Sequence, residues 1–411
     1  MQIKQTKLLK NNMPVLLINL PDSYGVSINV FIKVGSRNDP QGKEGLSHFV
    51  EHMLFKGTKT YQDSITLAKE IEKIGGDTNA HTSFENTGYY IKIPSEKLTE
   101  GVRILSDVLE NSLFDASEME KERNVIIEEI KMYNDDPQSD LFDNVFLPTL
   151  YKDTPLRVSP TGFIESVNSI HRDDLVSFVS KNYISNQMLI VLSGKFDMDE
   201  SVSILNKEFS WVKEDLSTKS DTFTDSFKMI NEKIIKDKKL EQSHILIGGM
   251  GLSYDDSRKY AYYVGNTLLG VGFTSKLFTE LREKRGMSYY QGSSMSALSG
   301  VGFYSISAGV SKDRVEEAIK VINSCVEEIK SGNFTNEDLE RVKTMIESSM
   351  KKDLESVDDF AGFFGYEFLK TGIIKTTQEF VNIYNSITKE DVIKVFNEVC
   401  TDSNKLICVE K

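Results

Sequence analysis

Apolar positions along the chain recur at strand spacing and at helix spacing in turn. "VSINVFIKVGS" (26–36) alternates and predicts a strand. "SITLAKEIEKIGG" (64–76) places Leu67, Ile71 and Ile74 at helical spacing, and two glycines close the predicted helix. The same reasoning predicts helices in "GLSHFVEHMLFKG" (45–57), "LTEGVRILSDVLENSLF" (98–114) and "ASEMEKERNVIIEEIKMYNDDP" (116–137), and strand structure in "DTNAHTSFENTGYYIKIP" (77–94).

The second half of the chain repeats the pattern of the first. "SIHRDDLVSFVSKNYISNQMLIVLSG" (169–194) matches "SITKEDVIKVFNEVCTDSNKLICVEK" (386–411), because each has a polar start, an amphipathic helix, an Asn turn and an apolar strand. The long spacing indicates two copies of one α/β domain rather than a solenoid. We therefore expect an α+β chain with two homologous domains, 1–215 and 231–411, joined by a polar linker, 216–230.

Composition narrows the function classes. The 411 residues are 39% hydrophobic and 27% charged, which is typical of a globular protein, and no run approaches the roughly 20 apolar residues of a membrane span. The formal net charge of −13 argues against a nucleic-acid partner. The three cysteines form no CxxC pair and predict free structural thiols in a reducing compartment. The first residues have no signal or transit pattern, so we expect a cytoplasmic chain that starts near Met1.

Candidate metal chemistry lies in "HFVEH". His48 and His52 are four residues apart, on one face of the predicted helix, and Glu51 lies beside them on the same side. Catalytic zinc takes three protein ligands and leaves a position for water. The third ligand can come from the acidic helix downstream, where Glu122 and Glu129 are two turns apart and one of them could orient a histidine instead. By themselves, two histidines on an apolar helix are often only packing residues. Two of the histidines elsewhere in the chain, His171 and His244, are interpreted as structural.

The second repeat sharpens this interpretation. It holds no histidine pair, and where the first copy has "VIIEEI" the second has "TMIESSM". This difference predicts that the chemistry belongs to the first domain. The second domain would then complete the substrate site.

Five motifs together resemble a known family. They are "GLSHFVEHMLFKGT", "GGDTNAHTSFENTGYY", "ERNVIIEEI", "YKDTPL" and "SKLFTELREKRGMSYY". In this order they resemble the pitrilysin and mitochondrial-processing-peptidase family of inverzincin (HxxEH) metallopeptidases, in particular its short bacterial branch. The resemblance spans essentially the whole chain. It implies two duplicated domains, each a mainly antiparallel sheet with helices packed on it, that form a half-clamshell.

The resemblance also assigns residues to roles. His48, His52 and Glu129 match the ligands of one zinc ion per chain, with Glu128 the adjacent rival, Glu51 the general base and Glu122 the acid behind a ligand. The strand residues Asn79, Ala80 and His81 match the substrate-binding edge, although many relatives have an aromatic residue in place of His81. Arg282 and Tyr289 match a pair from the second domain that holds the substrate and stabilises the oxyanion.

These assignments predict a zinc endopeptidase that cleaves short or unfolded peptides bound as an added strand. The resemblance further implies a homodimer, and neither nucleic acid nor membrane is an expected partner. Two alternatives stay open. The chain could be a zinc subunit that needs a different partner chain, or a non-proteolytic binding or assembly protein with the same fold.

Overall fold

A computed structural model describes residues 1–217 and 229–411. Its strands are β1 Gln2–Lys7, β2 Pro14–Asn19, β3 Gly25–Ile32, β4 Asp77–Thr82, β5 Thr87–Pro94, β6 Met188–Gly194, β7 Asn231–Lys236, β8 Ser243–Gly251, β9 Ser288–Ala297, β10 Gly302–Val310 and β11 Lys405–Glu410. The predicted linker, 216–230, lies mostly outside the described residues.

The helices are α1 Leu46–Leu54, α2 Ser64–Lys73, α3 Leu98–Asn111, α4 Ala116–Asp135, α5 Pro137–Leu141, α6 Leu147–Leu150, α7 Ile164–Ser169, α8 Arg172–Asn182, α9 Met198–Glu208, α10 Lys259–Gly270, α11 Val315–Lys330, α12 Asn336–Lys352, α13 Val357–Thr371, α14 Thr377–Ser386 and α15 Lys389–Val399. Two segments form π-helical turns, Phe142–Phe146 and Phe278–Glu283. None of the helices in the described ranges combines the length and apolarity needed to cross a membrane.

The first sheet has six strands in the order β1-β2-β6-β3-β5-β4. Only the β2–β6 pair among them is parallel. Its central strands are apolar on both faces, because Val30 faces a core built with α1, α3, α4 and α8 while Phe31 faces a second cluster built with α13. β4 is an edge strand, and α1 packs against it. This arrangement brings the HFVEH helix to the open edge of the sheet.

The second sheet has five strands in the order β7-β11-β8-β10-β9. Like the first sheet, it has one parallel pair, here β7–β11, and its other pairs are antiparallel. The predicted repeat is confirmed at the level of elements, since α8 and β6 have their counterparts in α15 and β11. His171 and Thr388 are the N-cap residues of those two helices. The predicted fold class of two duplicated, mainly antiparallel α/β domains is confirmed.

The chain divides into two compact units that exchange short segments. The first unit contains 1–132, 158–220 and 352–375, and the second contains 133–157, 221–351 and 376–411. The expected boundaries, 1–215 and 231–411, treat each half of the chain as continuous. The segment with α5 and α6 and the segment with α13 depart from that simple division.

Two local predictions needed refinement. The stretch 77–94 forms two strands, β4 and β5, because a turn closes between them where Ser83 N donates to Asn86 O at 2.8 Å. The acidic helix ends at Asp135, and Pro137 is the first residue of α5. Proline suits that position, because the first helical N–H has no partner within the helix.

Candidate metal centre and peptide site

The helix that carries the two histidines begins at a tightly packed corner. Gly45, the residue before α1, has a φ of 93°, and a Cβ there would lie 2.6 Å from Thr161 O. No side chain of the helix itself caps this end. Instead Asp39 accepts hydrogen bonds from Gly45 N at 2.8 Å and Ser47 N at 2.9 Å. A carboxylate from the preceding loop therefore satisfies the first N–H groups of α1.

The three predicted ligands come together. His48 and His52 lie one turn apart, with ring centroids separated by 4.6 Å. Glu129 Oε2, from α4, lies 3.8 Å from His48 Nε2 and 3.6 Å from His52 Nε2. One donor atom from each of the three residues falls within 4.8 Å of the others. Two imidazole nitrogens and one carboxylate oxygen are a donor set that suits zinc.

Glu128, the rival ligand, lies elsewhere. Its side chain is 72% exposed and pairs with Lys131 at 2.8 Å, one turn further along α4. Successive residues on a helix point about 100° apart, so Glu128 and Glu129 do not share a face. The geometry therefore favours Glu129 over Glu128 as the third ligand.

Glu122 supports the cluster from behind. Its Oε2 lies 3.2 Å from His52 Nδ1, and its Oε1 lies 2.6 Å from Lys56 Nζ. Burial acts to raise the pKa of Glu122, but the hydrogen bonds from His52 and Lys56 outweigh it and the pKa lies below its ordinary value. An ionised Glu122 can only accept, so in the neutral, metal-binding form of His52 the proton is on Nδ1 and Nε2 turns its lone pair toward the cluster.

His48 is neutral in this environment. Burial, and secondly the neighbouring His52, lower its pKa to about 3. Its Nδ1 is buried, and no hydrogen-bond partner for it occurs within the described part of the chain. A neutral imidazole is the form that binds a metal ion, so the residues present fit zinc.

Glu51 lies beside the cluster without belonging to it. Its Oε2 accepts a hydrogen bond from Thr82 Oγ1 at 2.5 Å. Burial raises the pKa of Glu51, while the Thr82 hydroxyl and His52 act in the opposite direction. A carboxylate in such a site is suited to accept and return a proton.

A cavity of about 430 Å³ opens next to Glu51 and His52 within the first unit. Its walls come from α1, α2, α4 and β4, with both apolar and polar side chains. The lining residues are Glu51, His52, Phe55, Lys56, Ser64, Leu67, Ala68, Ile71, Thr78, Asn79, Ala80 and Glu122.

The predicted substrate strand lies at this cavity, but its three residues differ in placement. β4 pairs with β5 on one side and forms the edge of the sheet on the other. Asn79 and Ala80 line the cavity. His81 is not among the lining residues; its ring lies 5.8 Å from that of Tyr366, and its Nε2 contacts the Tyr366 hydroxyl. The contact of His81 with substrate stays a prediction.

Arg282 and Tyr289 belong to the second unit. Arg282 lies in the π-helical turn, and its Nη1 donates to Tyr289 O at 3.3 Å. Its guanidinium carbon lies 5.8 Å from the centre of the Tyr289 ring, and the Tyr289 side chain is largely exposed, at 80%. The two residues are thus paired with each other, and their contact with substrate stays a prediction.

Sequence reasoning missed three residues that hold the site. Asp39 caps α1 from six and eight positions away, Lys56 pairs with Glu122, and Thr82 contacts Glu51. A signal existed for Thr82, because strand alternation places it on the face of Thr78 and Ala80. The Asp39 contact depends on the course of a loop, which spacing does not predict.

The fold and the cluster together define a class of protein. A two-histidine, one-carboxylate cluster with a neighbouring free carboxylate is the arrangement of zinc-dependent hydrolases. The family description "Insulinase (Peptidase family M16)" matches residues 14–159, and "Peptidase M16 inactive domain" matches residues 169–346. The chain belongs to peptidase family M16 and is a metallopeptidase by class.

Curated relatives agree with this placement. An uncharacterized zinc protease of Rickettsia felis is 33% identical over 392 residues, which cover 95% of this chain and 93% of the relative. An uncharacterized zinc protease of Bacillus subtilis is 30% identical over 97% of this chain and 96% of its own length. The resemblance to a short bacterial branch is thereby confirmed.

Solved structures share the fold. A protease from Helicobacter pylori superposes with a TM-score of 0.93 at 24% identity, covering 100% of this chain and 99% of that chain. A peptidase M16 inactive domain protein from Pseudomonas fluorescens gives a TM-score of 0.89 at 17% identity, covering 100% and 98%. At these identities the likeness concerns the fold.

Proposed function

We propose that this chain is a zinc-dependent endopeptidase that cleaves short or unfolded peptides, with Glu51 as general base. The observation that carries the proposal is the convergence of His48, His52 and Glu129, with Glu51 close by on α1, the helix of the two histidines. A purely structural role for the two histidines does not account for a third donor from α4 and a supporting carboxylate behind His52.

The metal proposed is one zinc ion per chain. His48 Nε2, His52 Nε2 and Glu129 Oε2 would hold it, and Glu122 would orient the His52 ring. When bound, zinc lowers the pKa of water to about 7 and polarises a carbonyl group. Glu51 then takes the proton from the attacking water and returns it to the leaving amine.

The substrate proposed is an extended peptide paired with the free edge of β4. Strand addition requires an extended segment with unpaired main-chain groups, which short and unfolded peptides supply. A side chain next to the cut bond would enter the cavity, where Phe55, Leu67 and Ile71 favour an apolar group. By family resemblance, Arg282 and Tyr289 would hold the peptide from the second unit, with His81 as a further substrate contact.

Activity on an unfolded peptide tests this proposal. The purified chain is incubated with a peptide library and zinc, and the products are identified by mass spectrometry. We expect defined cleavage by the wild type, none by Glu51→Gln, and near one zinc per chain in both. If both proteins cleave equally, either a contaminating protease is responsible or Glu51 is not the base. Either result would remove the assignment of Glu51.

Two other functions remain as alternatives. A zinc-loaded but inactive wild type that gains activity with a second polypeptide would favour a partner-dependent subunit, and one that binds peptides without cutting them would favour a binding or assembly protein. Retention of Glu51 and of all three donors supports the enzyme. We also propose a homodimer, from the resemblance, and the cytoplasm, from three buried cysteines that form no disulfide.

A further inference from the structure

Thr82, the last residue of β4, is bonded to the proposed general base. Its Oγ1 donates to Glu51 Oε2 at 2.5 Å. Thr82 is neither a candidate ligand nor one of the cavity-lining residues. Neither metal binding nor the lining of the cavity therefore accounts for the contact between the Thr82 hydroxyl and Glu51.

The direction of this hydroxyl is fixed by the strand. Thr82 pairs with Thr87 across the β4–β5 ladder, and its β-branched side chain has few rotamers. Alternation along β4 turns Thr78, Ala80 and Thr82 toward the face on which α1 packs. Glu51 is on that helix, so the donor and the acceptor are both held by regular structure.

A glutamate without such a donor has considerable freedom. The last torsion of a Glu side chain is broad and nearly two-fold, so the two carboxylate oxygens can sample many orientations. A hydrogen bond to a charged acceptor is among the stronger ones in proteins. One such bond at Oε2 restrains the carboxylate and leaves Oε1 available to another proton donor.

We propose that Thr82 is a positioning residue for Glu51, which orients the carboxylate toward the attacking water and ties the base to the strand that receives the peptide. This inference rests on the proposed peptidase function. Proton transfer requires the base within hydrogen-bond reach of the water, so orientation of Glu51 affects turnover. Peptide binding uses the main chain of β4, so it does not depend on the Thr82 hydroxyl.

The test compares Thr82→Val, which removes the hydroxyl at nearly constant shape, with Thr82→Ser, which retains it. Relative to wild type, we expect Thr82→Val to lower kcat about 10- to 100-fold, by analogy with the loss found when hydrogen-bond partners of metal ligands are removed. KM should stay near its wild-type value. Thr82→Ser should restore most of the lost kcat.

A matched control is Thr87→Val on the paired strand. The Thr87 hydroxyl donates to Val34 O at 2.9 Å rather than to Glu51, so this variant should retain the wild-type kcat. Zinc content and the unfolding transition followed at Trp211 should be the same in wild type and Thr82→Val. In a Glu51→Gln background, which binds peptide without cutting it, Thr82→Val should leave peptide affinity unchanged, because binding uses the main chain of β4.

The outcomes separate two failures. A wild type that does not cut peptides, or a Glu51→Gln variant that cuts as well as wild type, removes the proposed function itself. If Glu51 is essential but Thr82→Val keeps the wild-type kcat, if Thr82→Ser fails to recover it, or if Thr82→Val loses zinc, only the positioning role of Thr82 is overturned.

Discussion

At the scale of single residues, the two histidines of the cluster are held in different ways. His52 has a carboxylate behind it, so the Glu122 contact fixes both the ring plane and the nitrogen that carries the proton. His48 is held by burial, and its Nδ1 has no hydrogen-bond partner in the described structure. The orientation of His52 therefore depends on α4, whereas that of His48 depends on α1 and the surrounding core.

The ligand choice between two adjacent glutamates gives a direct prediction. Glu129→Gln should abolish stoichiometric zinc binding, because an amide is a poor zinc ligand and the histidine pair alone offers two donors. Glu128→Gln should bind zinc like wild type, since Glu128 is exposed and pairs with Lys131. Metal analysis after dialysis measures both. Zinc lost from the Glu128 variant but kept by the Glu129 variant would reverse the assignment.

Removal of the charge behind His52 should have a smaller effect. Glu122→Gln keeps the shape but weakens the hydrogen bond from His52 Nδ1, so we expect zinc affinity to fall about 10- to 100-fold. Competition with a chelator gives the dissociation constant. Glu118→Gln is the control, because Glu118 lies on the same helix and pairs with Lys121 at 2.5 Å. If the two variants bind zinc equally well, Glu122 has no orienting role.

Sequence and structure agree best where a residue's role follows from its position on one element. The spacing of His48, Glu51 and His52 predicted their shared face, and the seven-residue spacing of Glu122 and Glu129 placed both toward the cluster. The sequence left open which of these two acids would be the ligand, and resemblance chose Glu129. Thr82 was missed because its partner, Glu51, lies on another element, with α2 between them in the chain. Asp39 was missed because its contacts depend on how the loop before α1 folds back on the helix.

At the scale of the element, α1 depends on a buried carboxylate at its N-terminus. Burial raises the pKa of Asp39 to about 7 from the ordinary 3.8, although N–H groups of Ser47 and Gly45 donate to it and act in the opposite direction. In this pH range the folded chain binds more protons at Asp39 than the unfolded chain does. The free energy of unfolding contributed by this group therefore decreases as pH rises from about 4 to about 7.

Asp39→Asn tests that sign. The amide does not titrate, so the stability of the variant relative to wild type should increase with pH between about 4 and 7 and stay constant above. The difference of the two pKa values corresponds to at most about 4 kcal/mol. Urea unfolding of the metal-free proteins, followed by the fluorescence of Trp211, measures it. Other groups titrate alike in both proteins and cancel. A pH-independent difference would mean that the pKa of Asp39 is the same in the folded and the unfolded chain.

At the scale of the whole molecule, duplication was predictable and the exchange of segments was not. The repeated order of helix, turn and strand follows from local sequence patterns, so the sequence predicts the two similar domains. α13 lies in the second half of the sequence, yet it packs on the first sheet, where Phe364 is buried with Phe31 and Val191. Its apolar face gives no indication of which of two similar sheets it covers.

The dependence of the first unit on α13 is the largest-scale prediction. Phe364→Ala should destabilise the first unit by about 3–5 kcal/mol, because it leaves a cavity against the first sheet. Trp211 lies in that unit, so its fluorescence during urea unfolding reports the loss. Ile373→Ala, in the same segment but 61% exposed, should change stability by no more than about 0.5 kcal/mol.

A chain that ends at residue 217 lacks α13, so it should expose the Phe31 face of the first sheet and bind a hydrophobic dye. An added peptide of residues 352–375 should suppress that dye binding. If the truncated chain binds as little dye without the peptide as with it, the first half of the chain folds without α13.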